Sequence, residues 1–411
     1  MVNGKEVQSE LVSIAENGTN QAFQSGVSLL HDLFNSSLKS YKGLSEKYII
    51  ILLKSMEQRH NSKKYLLNYS HMLLKSTLKL DTTLLPPNRW NLLVFLCIHN
   101  GLFMVANIAR EKAVKSVYQA LDNTKSMENL IQAFKAYMDQ GELNKASQAL
   151  LSVKKSSVEE SSLNRMEIFF SVLTGDRERT SKLCKRHFSE QDWTFFHYIN
   201  GKTVAIVGPA PKEEDVSAEI NSFDIVVRFN YKGEPHLPHK GSGNRINVSY
   251  HNGGNAAELD MLDHTDFLNE LDFACFKSVK YDFQRKLVSA HKGRQYRIAG
   301  EFLFNGAANH LPNVLFDILH FHPKMVKVFH SNLYLSSTPH YTGYHTIPKE
   351  NQSLWNTFAY HEMITQFNFL KNLWNGKQFK ADKALESVLK LTPEKYVELM
   401  ERIHVYPYLN K

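Results

Sequence analysis

The chain changes character at Gly201, and that change limits the folds open to it more than any other feature of its 411 residues. Short runs rich in β-branched and aromatic residues follow: TVAIVG from Thr203, FDIVVRFN from Phe223, RINVSY from Arg245 and MVKVFH from Met325. They alternate with helical or loop stretches, which is the pattern of an α/β domain with a largely parallel sheet. From Trp355 to Tyr408 the pattern returns to helix. Within it, LTPEKYVELMERI places Thr392 as an N-cap and Pro393 at the first helical position.

The residues before about 190 are rich in Leu, Lys, Ser, Asn and Gln, with apolar positions at helical spacing in EKYIIILLKSMEQ and ENLIQAFKAYMDQ. A frame recurs there: Tyr137, Gly141, Leu143 and Ala146, then Gly175 and Thr180 with the two glycines 34 residues apart, and more loosely Gly101, Phe103 and Ala106. Small residues at such places let antiparallel helices approach closely, and the step resembles a tetratricopeptide repeat. An irregular helical bundle with small residues at its crossings gives the same frame. The expected organisation is an all-α, tetratricopeptide-like domain over 1–195, docking a protein partner, and an α/β domain over 200–411.

Hydrophobic content of 43% with 22% charged residues fits a globular chain and excludes collagen, coiled coil and disorder. Cys97, Cys184 and Cys275 are too few and too scattered for a disulfide framework, so the expected compartment is the reducing cytoplasm, with peripheral attachment to the inner face of the cell membrane as a second setting. The first residues carry acidic side chains and no apolar run, which argues against a secretory signal. Trp90 to Ala109 is the most apolar stretch, but His99, Asn100, Gly101 and Asn107 interrupt it, so a helical hairpin is expected there. A net charge of +8 favours an anionic ligand or surface. Basic clusters with interleaved aromatics are absent, so nucleic acid is not an expected partner.

Gly208 ends the TVAIVG strand at its carboxyl end, where nucleotides bind in open α/β sheets. Gly208-Pro-Ala-Pro lacks the second and third glycines of the dinucleotide fingerprint, and Asp224 opens a strand rather than closing one, so hydride transfer is excluded. Metal-dependent nucleotide-sugar enzymes use a D-x-D carboxylate pair, and ELDMLDHTDF spaces its acids more loosely. A metal site on His310, His320 and His322 has no matching Cys or Glu.

Glu219-Ile-Asn-Ser-Phe-Asp-Ile-Val-Val-Arg-Phe-Asn230, followed by Gly241-Ser-Gly-Asn-Arg-Ile-Asn-Val248, closely resembles the large sialylmotif of sialyltransferases. Asn356-Thr-Phe-Ala-Tyr-His361 followed by Gln366-Phe-Asn-Phe-Leu-Lys371 resembles the very small sialylmotif, with Gln366 in place of a Glu. His340-Tyr-Thr-Gly-Tyr-His345 is similar to the short His-Tyr motif, matching through either His340-Tyr341 or Tyr344-His345. Phe304-Asn-Gly-Ala-Ala-Asn309 and VLFDILHFHPKMVKVFH resemble the small sialylmotif without its Ser/Thr, and the cysteine pair of animal members is missing. The resemblance spans about residues 201–375 and is to a bacterial-type, cytoplasmic relative.

What it implies is a GT-A-like or Rossmann-like catalytic domain. That domain would transfer sialic acid from CMP-sialic acid to a hydroxyl of an oligosaccharide or glycolipid acceptor, with inversion and with no cofactor or metal. His361 is then the general base and His340 a second catalytic residue. Gly208, Ala210, Asn230, Asn252, Asn305, Gly306, Tyr341 and His345 face the donor. Histidine, with an ordinary pKa of about 6.5, suits proton removal near neutrality. Donors such as the Asn230 amide suit the charge that grows on the leaving phosphate. Arg228 with Asp224 reads equally as a structural ion pair, and Asn230 as a turn cap. A CMP-Kdo transferase has the same nucleotide-facing motifs. A non-catalytic repeat scaffold with a degenerate nucleotide-binding domain is the reading from another class.

Overall fold

The computed structural model describes residues 70–409, apart from 157, 212–213, 234–240, 262–264, 339, 342–343 and 345–350. The helical run EKYIIILLKSMEQ and the candidate His345 lie outside the described residues. The chain divides into two compact units. The first takes in residues up to Ala136 with Glu350–Ile364 and Glu394–Lys411; the second takes in Tyr137–Lys349 and Thr365–Pro393.

In the first unit, Pro87–His99 and Phe103–Asn123 form the helical hairpin expected from the interrupted apolar stretch. Among the described residues no helix is long and apolar enough to cross a membrane. Phe103 meets Trp355 and Phe358 edge-on at 6.3 and 6.1 Å, and Phe358 meets His404 at 5.1 Å. These contacts draw in the helices Asn351–His361 and Pro393–His404. Polar ties close the bundle: the Trp355 indole donates to the His404 carbonyl at 3.2 Å, and Met104 N–H to the Glu401 carboxylate at 2.8 Å.

The frame of glycines has a local physical meaning. Gly101, Gly141 and Gly175 have φ of 79°, 71° and 74°. After each, the next N–H reaches back five residues: Leu102 to Cys97 (2.9 Å), Glu142 to Tyr137 (2.8 Å) and Asp176 to Ser171 (3.0 Å). This left-handed helix stop satisfies end carbonyls and is open chiefly to glycine. A new helix starts two residues past each glycine, at Phe103, Leu143 and Arg177.

The second unit is α/β. Its strands are β1 Thr203–Val207, β2 Ile225–Phe229, β3 Val248–His251, β4 Phe273–Phe276, β5 Gly293–Gln295, β6 Met325–Phe329 and β7 Lys380–Ala381. They lie in the order β5-β4-β3-β2-β1-β6-β7, every pair parallel, with Val204 opposite both Ile225 and Val326. β2, β3 and β4 are buried along their whole length, as a sheet covered on both faces requires. Strands added in sequence run outward from β1 to β5; β6 then returns to the other side of β1. In parallel sheets ligands bind near such a reversal, at the carboxyl ends of the strands.

The expected boundary near 195–200 does not coincide with the division between units. Helices Glu160–Thr174, Arg177–Lys185 and Glu190–Ile199 belong with the sheet. Their apolar faces are spent on it: Phe195 meets Phe273 and Phe321 edge-on at 4.9 Å each, and Phe169 packs on Phe316 at 5.8 Å. A buried charge network locks the same helices down. Arg294 of β5 bonds Asp192 of helix Glu190–Ile199 (2.9 Å) and Asp317 of helix His310–Leu319 (2.6 Å), and Asp317 accepts from Tyr250 of β3 at 2.7 Å.

Arg294→Met, which takes the nearest cation from the buried Asp317 carboxylate and leaves Asp192 with Arg297 alone, is expected to lower the unfolding free energy by about 3–5 kcal/mol in urea titrations. Burial opposes ionisation of Asp192, but Arg297 and Arg294 outweigh it and hold its carboxyl at about 2. A depressed carboxyl stabilises the fold above its unfolded pKa, and that contribution fades as pH drops from about 4 towards 2. The stability gap between the wild type and Asp192→Asn is therefore expected to shrink across that window, which unfolding curves at several pH values would measure.

Candidate functional site

Gly208 is the first residue past β1. Its N–H donates to the Phe329 carbonyl at 2.8 Å, and Ala210 N–H donates to the His330 carbonyl at 3.0 Å. A Cβ on Gly208 would stand 2.4 Å from the His330 oxygen, so close passage past β6 is itself enough to require glycine. The Pro209 carbonyl accepts from Tyr341 N–H at 2.9 Å, which brings the His-Tyr segment onto the end of β1.

Asn230 takes the left-handed conformation, φ 52°, as β2 ends. Asparagine tolerates this region better than most residues. Its side chain is a junction: Nδ2 donates to the Tyr344 hydroxyl at 2.9 Å, and Oδ1 accepts from Asn252 N–H at 3.2 Å. Asn252 in turn caps the helix Gly253–Asp260 through Asn255 N–H at 2.8 Å. His340 lies flat on Tyr344, ring centroids 5.0 Å apart and planes 12° apart, and meets Tyr334 edge-on at 5.9 Å. Burial pushes the Tyr344 phenol well above its usual value, so it is a neutral hydroxyl at any working pH.

Gly208, Arg228, Asn230, Tyr341 and Tyr344 thus border one cleft, with Asn252 joined to it through Asn230. The sequence alone left two registers open for the His-Tyr motif; both Tyr341 and Tyr344 reach this cleft. Ala210 is buried behind it. Asn305 and Gly306 lie in the segment before helix His310–Leu319, where Gly306 N–H donates to the Asn305 side chain at 3.0 Å; neither borders the cleft. His361 belongs to the first unit, half-buried at the last position of helix Asn351–His361.

Two readings change. Asp224 does not pair with Arg228: it accepts from the Thr203 N–H and hydroxyl, both at 2.8 Å, stitching the start of β2 to β1. Arg228 instead donates to the backbone carbonyls of Ser242, Gly243 and Arg245. Gln366 has a use for both ends of its amide. Oε1 accepts from Asn309 N–H at 2.8 Å and Nε2 donates to the Ala307 carbonyl at 3.3 Å, which an ionised Glu cannot do. Asn309 then donates to the Tyr334 hydroxyl at 2.8 Å, and Tyr334 touches His340.

Sequence reasoning also missed Glu362, next to His361. It is buried in the left-handed conformation at φ 44°, pairs with Arg110 at 2.9 Å and accepts from Ile364 N–H at 3.1 Å. No signal short of the fold connects residues 110 and 362. A further cavity of about 750 Å³ lies beside β5, lined by Ile168, Gln191, Gln295, Tyr296, Arg297 and Phe302 among others. His320 is buried with Nδ1 2.6 Å from the Phe316 carbonyl, and His322 Nε2 lies 3.0 Å from the Arg177 carbonyl.

No protein-family model matches the chain, and no curated protein is similar enough to count as a relative.

Gln366→Glu is expected to cost about 1–3 kcal/mol at pH 7, because the hydrogen bond from Nε2 to the Ala307 carbonyl is lost. A protonated carboxyl can donate, so the penalty is expected to shrink as the pH is lowered to 5; urea unfolding at both values measures it.

Proposed function

We propose that this chain is an inverting glycosyltransferase that moves a nonulosonic acid, foremost sialic acid, from its CMP-activated form to a glycan hydroxyl. The observation that carries the reading is the docking of His340, Tyr341 and Tyr344 onto Gly208, Pro209 and Asn230, the carboxyl ends of β1 and β2. Motif segments more than a hundred residues apart in sequence meet where a parallel sheet binds nucleotides. That meeting, with the seven-stranded parallel sheet around it, supports a GT-A-like catalytic domain. The glycine corners support a tetratricopeptide-like docking role for the helices that carry them.

The chemistry has two demands. As the glycosidic bond to CMP breaks, an oxocarbenium-like state forms and negative charge gathers on the phosphate. Asn230 holds Tyr344 with one of its two amide N–H groups, which leaves the second for a phosphate oxygen, and one such fixed donor is worth about 3 kcal/mol in the transition state. The acceptor hydroxyl must lose a proton as it attacks, and the motif assigns that to His361, with His340, stacked on Tyr344, as the second imidazole. Positioned amide and hydroxyl donors fill the place that a metal fills in D-x-D enzymes.

CMP is expected to raise the melting temperature while NADH leaves it unchanged; no response to CMP would refute the nucleotide assignment. A donor screen with CMP-sialic acid and CMP-Kdo then reads the sugar by mass spectrometry of the product. His361→Ala is expected to abolish transfer while CMP still protects against melting, and full turnover in that variant would overturn the choice of base. Turnover is expected to survive excess EDTA; a loss restored by Mn²⁺ would refute the metal-free route.

A further inference from the structure

Arg228 is charged, 4% exposed and without a carboxylate partner among the described residues. Its Nε donates to the Arg245 carbonyl at 3.0 Å, and its Nη2 to the Ser242 and Gly243 carbonyls at 2.6 and 2.9 Å. All three acceptors are neutral. The other arginines buried to the same degree are neutralised: Arg110 by Glu362, and Arg294 by Asp192 and Asp317. An unpaired cation taken out of water costs several kcal/mol, so burial normally brings a counter-charge with it. Burial pulls the guanidinium down to about 10, the direction expected where that counter-charge is lacking.

The cage also orients the group. Gly241-Ser242-Gly243 passes over β2 with φ of 97° at Gly241 and 63° at Gly243, backbone that side-chain-bearing residues rarely adopt. A Cβ on Gly243 would meet the Asn221 side chain at 2.8 Å, so the loop is pinned as well as bent. Nε and Nη2 are spent on it, whereas Nη1 has no hydrogen-bond partner among the described residues. The arginine borders the cleft formed by Gly208, Asn230, Tyr341 and Tyr344.

We propose that the missing counter-charge is the ligand's phosphate, a diester in a CMP-activated sugar and a monoester in released CMP, and that Arg228 is the anion-binding residue of this cleft. The identity of the anion as the phosphate of CMP rests on the proposed function; the anion site itself rests on the uncompensated guanidinium. A carbonyl-caged arginine presents a fixed donor and a full charge in a water-poor site, a stronger grip on phosphate than a solvated lysine provides.

The test is calorimetric titration of the full-length chain with CMP, cytidine and inorganic phosphate, on the wild type, Arg228→Met and Arg228→Lys, with melting curves at constant ionic strength. The wild type is expected to bind CMP roughly 10- to 100-fold more tightly than cytidine, the factor that a charge-assisted hydrogen bond supplies. Arg228→Met is expected to bring the two affinities together while cytidine binding stays. Arg228→Lys keeps the charge and a carbonyl donor, and is expected to restore part of the preference; it also guards against a methionine variant that fails to fold. Equal affinities for CMP and cytidine in the wild type, or an unchanged preference in a folded Arg228 variant, would overturn the proposal. If neither CMP nor cytidine binds but inorganic phosphate raises the wild-type melting temperature and not that of the variants, the anion site stands and the cytidine assignment fails.

Discussion

The sheet unit depends on one buried guanidinium. Arg294 lies against the rings of Phe195 and Phe321, 4.6 and 4.7 Å from their centroids, and bonds both Asp192 and Asp317. Through those carboxylates it links two helices to β5, and through Tyr250 to β3. Its short strand, Gly293-Arg294-Gln295, has little apolar surface with which to hold a sheet edge. Charge balance and stacking on aromatic faces take the place of hydrophobic packing there.

The contrast with Arg228 separates structure from function. Both cations are buried in strands of the same sheet, one β5 and the other β2, and only the first meets carboxylates. A fully satisfied network fixes a fold, whereas a cation held only by carbonyls leaves an electrostatic demand at the place where the chain exposes a cleft. Strand order adds to this, because the reversal at β1 puts that demand beside the crevice that parallel sheets open at their carboxyl ends.

Much of the sheet was legible because β1, β2, β3 and β6 are made of β-branched and aromatic residues bounded by polar turns. β5 was not, since a Gly-Arg-Gln strand exists only once Arg294 has its acids, and these lie at residues 192 and 317. The glycine corners were readable from spacing, because a left-handed helix stop demands one residue type. The division into units was not, because an amphipathic helix such as Glu190–Ile199 announces a buried face without saying against what. At the cleft, motif spacing singled out Gly208, Asn230 and Tyr341, which border it together. The pairing of Arg228 with Asp224 failed for a local reason: four residues along a strand is too far for the two groups to meet when a Thr203 hydroxyl and a loop of carbonyls are nearer.

The first unit is assembled from three separate stretches of chain, and its interior joins Phe103 to Trp355 and Met104 to Glu401. A ribosome delivers the early helices long before the late ones that cover them, so their apolar sides must wait, exposed, while nearly three hundred intervening residues emerge. Strands β1 to β6 of the α/β unit emerge before either of the late stretches, Glu350–Ile364 and Glu394–Lys411. A holdase that shelters the early helices during translation would have the most to do in that interval.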